Sequence, residues 1–202
     1  VYIDPAWGRI QGHAEIVAFF EESMRGLDDW RFPIRFTAID GDDVVILLGA
    51  PGSGKTAVGD ELARRGLRWR EWELWVLERW GSREAFVARK ANALPELHRA
   101  LRTWIAEGGA PAAIETTGLS DAAFLDALRG DHRCLVVRLD VSEDEAQRRV
   151  ATRARDRHLS DEPAANRAVW RAFHQVVVPR RDVDLVIDTG RIPPSHTAAT
   201  AT

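Results

Sequence analysis

The chain has 202 residues, with 28 Lys and Arg against 31 Asp and Glu and a net charge of −3, and 45% of it is hydrophobic. That length supports an ordinary core, and the near-balance of charge implies no strong pull toward nucleic acid or an anionic membrane. The single cysteine, Cys134, excludes disulfides and cysteine-based metal sites within one chain. No apolar run is long enough to span a membrane and no signal-peptide pattern opens the sequence, so a reducing, cytoplasmic setting is expected. The first residue is Val1, not methionine, and the natural start is expected upstream.

In chain order, residues 13–25 carry a helical stripe of Ile16, Val17, Phe19, Phe20 and Met24. Residues 31–39 then alternate Phe32, Ile34, Phe36 and Ala38, a strand pattern, and Asp40-Gly41-Asp42 reads as a hairpin turn. The first 48 residues hold four arginines against nine acids, whereas the rest of the chain is nearly balanced.

The sequence from Asp43 to Thr56 carries the main chemical signal. An apolar run, 44–48, leads into Gly49-Ala50-Pro51-Gly52-Ser53-Gly54-Lys55-Thr56, which fits the phosphate-binding pattern G-x-x-x-x-G-K-[ST]. Glycines let such a loop curl and turn its N–H groups toward an anion, assisted by the positive end of the next helix. Lys55 would reach the terminal phosphates and the Thr56 hydroxyl would ligate Mg²⁺. At this chain's composition the pattern arises by chance in roughly one sequence in a thousand. Lys55 is also one of only two lysines, with Lys90 the other, in a chain that uses arginine for most of its basic charge. Gly49, Gly52, Ser53, Gly54, Lys55 and Thr56 are therefore assigned to nucleotide binding.

Strands and helices alternate from there on. The patterns predict a helix over 56–65, a short strand over 67–72, and a helix over 83–107 split or kinked at Pro95. A strand over 112–115, a helix over 120–129 capped by Ser120 and a strand over 134–140 follow. Ser142 to Glu145 forms a capping box opening a helix to about residue 155, another helix covers 164–177, and 184–188 is the last strand. The Pro-, Ala- and Thr-rich tail, 191–202, is expected to be disordered. This alternation implies an α/β fold, a five-stranded parallel sheet with helices on both faces. In such sheets ligands bind beyond the carboxyl ends of the strands.

Glu115 ends the third strand of that sheet and would face the Mg²⁺ side of the loop as a catalytic and metal-side acid. Glu71 and Glu73 stand near the end of the second strand; Glu73 is assigned as the base for an acceptor hydroxyl, with Glu71 the other candidate. Trp69, Trp72, Trp75 and Trp80 could stack on a planar substrate, but packing in the core is the preferred reading. Arg149, Arg153 and Arg157 recur every four residues and would share one face of a continuing helix, a guanidinium-bearing lid suited to a transferring phosphoryl group. A solvated face paired with Glu145 and Asp156 is the alternative.

Two family resemblances attach to these residues. Asp4-Pro5-Ala6-Trp7-Gly8, Gly12-His13, 19–24 and Asp29-Trp30-Arg31-Phe32-Pro33 resemble part of a SnoaL-like domain of the nuclear-transport-factor-like superfamily. A hairpin through Asp40-Gly41 would claim an edge of strand 44–48 that a phosphate-loop fold needs for a parallel neighbour. Residues 1–42 are therefore expected to be an appended fragment, 43–190 the main domain and 191–202 a tail. The second resemblance covers about 43–190. Gly49 to Thr56, the acid after the second strand, Ile114 to Gly118, the arginine-rich run 148–157 followed by Ser160-Asp161, and 184–189 resemble the small P-loop kinases. The shikimate and gluconate kinases and the polynucleotide-kinase-like and zeta-toxin-like proteins are the nearest groups. The resemblance implies a sheet order of 2-3-1-4-5, an Mg²⁺–ATP donor, lid arginines and an adenine pocket near Thr189 to Arg191, with Arg191 contributing. Two departures from the shikimate kinase pattern, a Glu in place of Asp after the second strand and Glu-Thr-Thr-Gly in place of a glycine run, bear on the acceptor.

The expected function is phosphoryl transfer from ATP to a hydroxyl of a small molecule. The alternatives are a nucleotide-binding ATPase, a polynucleotide or nucleotide-sugar kinase, and a non-catalytic fusion product. Expected partners are a nucleotide and a small-molecule acceptor, without nucleic acid or membrane, and the sequence leaves the oligomeric state open.

Overall fold

The structure, a computed structural model, describes residues 2–4, 8–10, 14, 15, 18, 43–108, 111–153, 162–193 and 196–198. The chain divides into two compact units, Val1–Ile34 and Arg35–Thr202. In the first, β1 (Tyr2–Asp4) and β2 (Gly8–Ile10) pair antiparallel, with Tyr2 opposite Ile10. Of the helix expected over 13–25, residues 14, 15 and 18 are described, and they are helical. The strand over 31–39 and the turn at 40–42 lie outside the described residues.

The second unit is built on β3 (Val44–Leu48), whose five side chains are at most 1% exposed. Both of its edges take parallel partners, β5 (Ala112–Thr116) on one side and β6 (Cys134–Asp140) on the other. With β4 (Arg68–Arg70) beyond β5 and β7 (Leu185–Asp188) beyond β6, the order is β4-β5-β3-β6-β7. Counted from β3, that is the expected 2-3-1-4-5. No edge of β3 remains for a hairpin with residues 31–39, which resolves the conflict between the two readings.

Alternation along β3 divides the core between the faces of the sheet. Val44, Ile46 and Leu48 face a cluster with Leu101, Phe124 and Phe173. Val45 and Leu47 face Val58, Leu62, Leu139 and Ile187. The helices on these faces are α1 (Lys55–Arg64), α4 (Lys90–Ala106), α5 (Ala122–Asp131) and α7 (Pro163–Ala172), the last running on into a π turn over Phe173–Val177.

Gly59 on α1 sits against the Trp69 indole, where an added Cβ would lie 2.2 Å from ring carbons. Alanine normally stabilises a helix interior relative to glycine by up to about 1 kcal/mol. Here the sign reverses, and Gly59→Ala is expected to cost about 1–3 kcal/mol through overpacking, read as a lower urea midpoint.

Several boundaries differ from expectation. The helix over 83–107 breaks at Arg89 into α3 (Arg83–Ala88) and α4, whereas Pro95 lies inside α4. Pro95 is the sixth residue of α4, and its missing N–H leaves one carbonyl, that of Ala91, without its helical donor. Residues 72–80 form a further helix, α2 (Trp72–Trp80). Trp72, Trp75, Trp80 and Trp69 all pack against core clusters, as preferred. Ser120 does not cap α5: Asp121 occupies the N-cap position, and the Ser120 hydroxyl accepts from Lys90 Nζ at 3.2 Å. Within the stretch expected to be a tail, residues 196–198 form a helical turn whose Thr197 and Ala198 are buried. Among the described residues, no helix is long and apolar enough to cross a membrane.

Candidate functional site

The β3–α1 junction forms the phosphate loop expected from the sequence. Gly52 and Gly54 hold φ of 80° and 89°, a region closed to most side chains, and Gly54 stands at the N-cap of α1. A Cβ at Gly52 would meet the Ala146 carbonyl at 2.4 Å, so the loop can lie this close to α6 (Glu143–Thr152) only with glycine there. Gly49 N–H donates to Thr116 O at 3.1 Å, tying the start of the loop to the end of β5.

Lys55 Nζ donates to the Gly49 and Ala50 carbonyls at 3.0 and 3.1 Å, and lies 3.9 Å from Glu115 Oε2. Glu115 is 5% exposed; burial pushes its pKa up to about 7 against the opposing pull of the Lys55 charge, with Glu73 and Glu71 raising it further. Thr56 Oγ1 donates to Glu71 Oε1 at 3.5 Å. Glu71 is itself 5% exposed and bridges β4 and α2 in an extended conformation, φ −80° and ψ 118°. Glu71 thus accepts from the Thr56 hydroxyl, while Glu73, one step into α2, lines the cavity. The sequence could not rank the two acids, because the turn from strand to helix falls between them.

Arg149 anchors the opposite side of the loop. Its guanidinium donates to Thr189 O at 2.8 Å, Thr189 Oγ1 at 3.2 Å, Gly52 O at 3.4 Å and Glu145 Oε1 at 2.7 Å. Hydrogen bonds from Arg148 and Arg149 hold the Glu145 carboxyl well below its usual range, at about 2. The expected arginine face of one continuing helix does not form. The helix closes at Thr152, and Arg153 has an extended backbone with ψ 158°, which rotates it off the Arg149 face. Both residues still reach the same cavity, and Arg157 lies outside the described residues. Half of the capping box is present, Ser142 Oγ accepting from Glu145 N at 3.4 Å, while the Glu145 carboxylate takes arginines.

A cavity of about 610 Å³ opens over the loop, with Lys55, Thr56, Glu73 and Glu115 at its floor. A second, of about 320 Å³, lies on the Arg149 side between Ala57, Val58, Arg148, Thr189, Ile192 and Thr197. Arg191 is not among its lining residues; its side chain is 87% exposed and pairs with Asp188 at 3.3 Å. The sequence reading also missed a largely buried polar chain at the wall of the first cavity. Thr116 Oγ1 donates to Asp121 Oδ2, Asp121 Oδ1 lies 3.1 Å from His98 Nε2, and the His98 ring stacks on Phe124 at 4.3 Å. His98 joins this chain from α4, 23 residues from Asp121, and that link leaves no local signal in the sequence.

This loop, this sheet order and these strand-end acids define the fold of the small P-loop kinases. Solved structures share it. A shikimate kinase from Acinetobacter baumannii in complex with shikimate is 19% identical, matching 77% of this chain and 88% of its own with a TM-score of 0.59. A shikimate kinase from Bacteroides thetaiotaomicron is 16% identical over 78% and 93%, with a TM-score of 0.58. A gluconokinase from Sinorhizobium meliloti 1021 is 18% identical over 85% and 91%, with a TM-score of 0.56. At these identities the likeness is one of fold. No protein-family model matches the sequence, and a comparison with curated proteins finds no match.

Proposed function

We infer that the chain is a kinase transferring the γ-phosphoryl group of ATP to a hydroxyl of a small molecule. The observation that carries this reading is the phosphate loop with Lys55 beside the buried Glu115 at the floor of one cavity, and with the Thr56 hydroxyl donating to the buried Glu71. Loop amides and Lys55 would hold the phosphates. The hydroxyl of Thr56 and the carboxylates of Glu71 and Glu115 are hard oxygen donors, which suits Mg²⁺ bound jointly with phosphate oxygens. That ion would supply charge neutralisation on the phosphates. Glu73 would accept the proton of the acceptor hydroxyl, and Arg153 would face the transferring group from the cavity wall. Arg149 would hold the loop to the end of β7, and the smaller cavity would take the nucleotide base. Residues 1–42 are proposed to be an appended piece, since both edges of β3 are filled from later in the chain.

The two strand-end acids are separable by experiment. Glu71→Gln is expected to raise the Mg²⁺ concentration needed for half-maximal ATP binding by roughly 10–100-fold. Glu73→Gln should leave that requirement nearly unchanged and lower kcat by about 10²-fold or more. Magnesium titrations followed by calorimetry and a coupled ADP assay read both effects; reversed results would exchange the two roles.

A further inference from the structure

The larger cavity has two ends of different chemistry. Its floor is polar, while the walls away from the loop carry apolar side chains from separate elements, Trp72 opening α2, Phe86 on α3, Leu94 on α4, Leu119 after β5 and Val169 on α7, with Arg83, Lys90 and Asn166 set among them. Core packing sets this wall. Phe86 is 7% exposed and rests against Trp80 with ring centroids 5.4 Å apart, over a cluster of Val76, Ala93 and Leu97 that also carries Trp72 and Leu94. The apolar surface is therefore in place before any ligand arrives.

Several of the polar groups beside this wall are already engaged. Asp121 takes Thr116 and His98, Thr117 Oγ1 accepts from Leu119 N at 3.5 Å, and Ser120 Oγ accepts from Lys90 Nζ. An acceptor with many hydroxyls would leave several of them desolvated against carbon, each weakening binding by roughly tenfold. A single hydroxyl on an apolar body would place its polar end at the floor and its body against the wall.

We propose that the acceptor is an alcohol with an aromatic or alkyl body and its reacting hydroxyl at one end, in contrast to a polyol or a sugar acid. The proposal rests on the kinase reading above. In the step, the acceptor oxygen forms a bond to the γ-phosphorus as the bond from that phosphorus to the β,γ-bridging oxygen breaks. The bridging oxygen keeps the electron pair on ADP, and the hydroxyl proton passes to a floor carboxylate and on to solvent.

The test uses the full chain with Mg²⁺–ATP and four probes: phenylpropanol, shikimate, gluconate and glucose. Binding of each to the protein loaded with a non-hydrolysable ATP analogue is followed by saturation-transfer NMR. Turnover is followed by ADP release and by the phosphate-monoester signal in phosphorus NMR. Phenylpropanol is expected to bind and to be phosphorylated at concentrations where the three polyhydroxylated compounds are not. Leu94→Gln should raise its apparent KM roughly tenfold, and Leu94→Met should restore it to within about twofold of wild type. Preference for a polyhydroxylated probe, no response to any probe by protein that binds Mg²⁺–ATP, or an unchanged KM in a folded Leu94→Gln protein would each overturn the substrate class alone. Failure of wild type to bind Mg²⁺–ATP would instead remove the kinase reading.

Discussion

Lys55→Ala is expected to abolish detectable phosphoryl transfer, a loss on the order of 10²–10³-fold or greater, while leaving the sheet intact. Among the described residues the ammonium is the cation within ion-pair reach of Glu115, and it also bridges the Gly49 and Ala50 carbonyls. Its removal deletes the charge that would meet the β- and γ-phosphates and leaves Glu115 buried without its cation. That carboxyl answers by staying protonated, so the fold loses little. Calorimetric titration with Mg²⁺–ATP on wild type and variant, with circular dichroism as the folding control, checks both halves. Near-normal transfer by the variant would rule out the assigned mechanism.

How much of this was legible beforehand depends on whether the determinant is local. The phosphate loop is encoded in eight consecutive residues, and an unbroken apolar strand flanked by glycines announces its own burial, so β3, the loop and α1 fall where the pattern puts them. The sheet order is not local; it entered through the resemblance, and the pairings of β3 with β5 and β6 confirm it. Helix ends set by tertiary contacts were misplaced. The break at Arg89 and the helix over Trp72–Trp80 are the cases, whereas the end of α4 at Ala106 fell within one residue of expectation. The arginine spacing failed for a related reason, since periodicity holds only while the helix continues, and α6 stops at Thr152. In the Thr116–Asp121–His98 chain only the first two are near in sequence, and His98 reaches Asp121 from 23 residues away.

Glu115→Gln should change how stability depends on pH. In the nucleotide-free protein burial lifts the Glu115 carboxyl from its ordinary 4.5 to about 7. Between those values the folded state retains a proton that the unfolded chain has released, so unfolding loses protons and stability falls as pH rises. The favourable contribution is complete below about pH 4.5 and lost above about pH 7, with a total of about 3 kcal/mol at 1.36 kcal/mol per unit. Glutamine is neutral throughout and keeps the shape. The variant should therefore match wild type near pH 4.5 and exceed it at pH 8, by up to that amount, in urea unfolding without nucleotide. Other groups titrate in both proteins, Glu145 with its pKa near 2 among them, so the difference between the two curves isolates position 115. The same substitution should lower Mg²⁺-dependent ATP binding, because the ionised carboxylate is the form a cation favours. Wild type binding at pH 6 should then release a proton that the variant does not, visible as a buffer-dependent heat in calorimetry. A parallel pair of stability curves would mean that Glu115 is ionised in the folded protein across this range, held there by Lys55 against the cost of its burial.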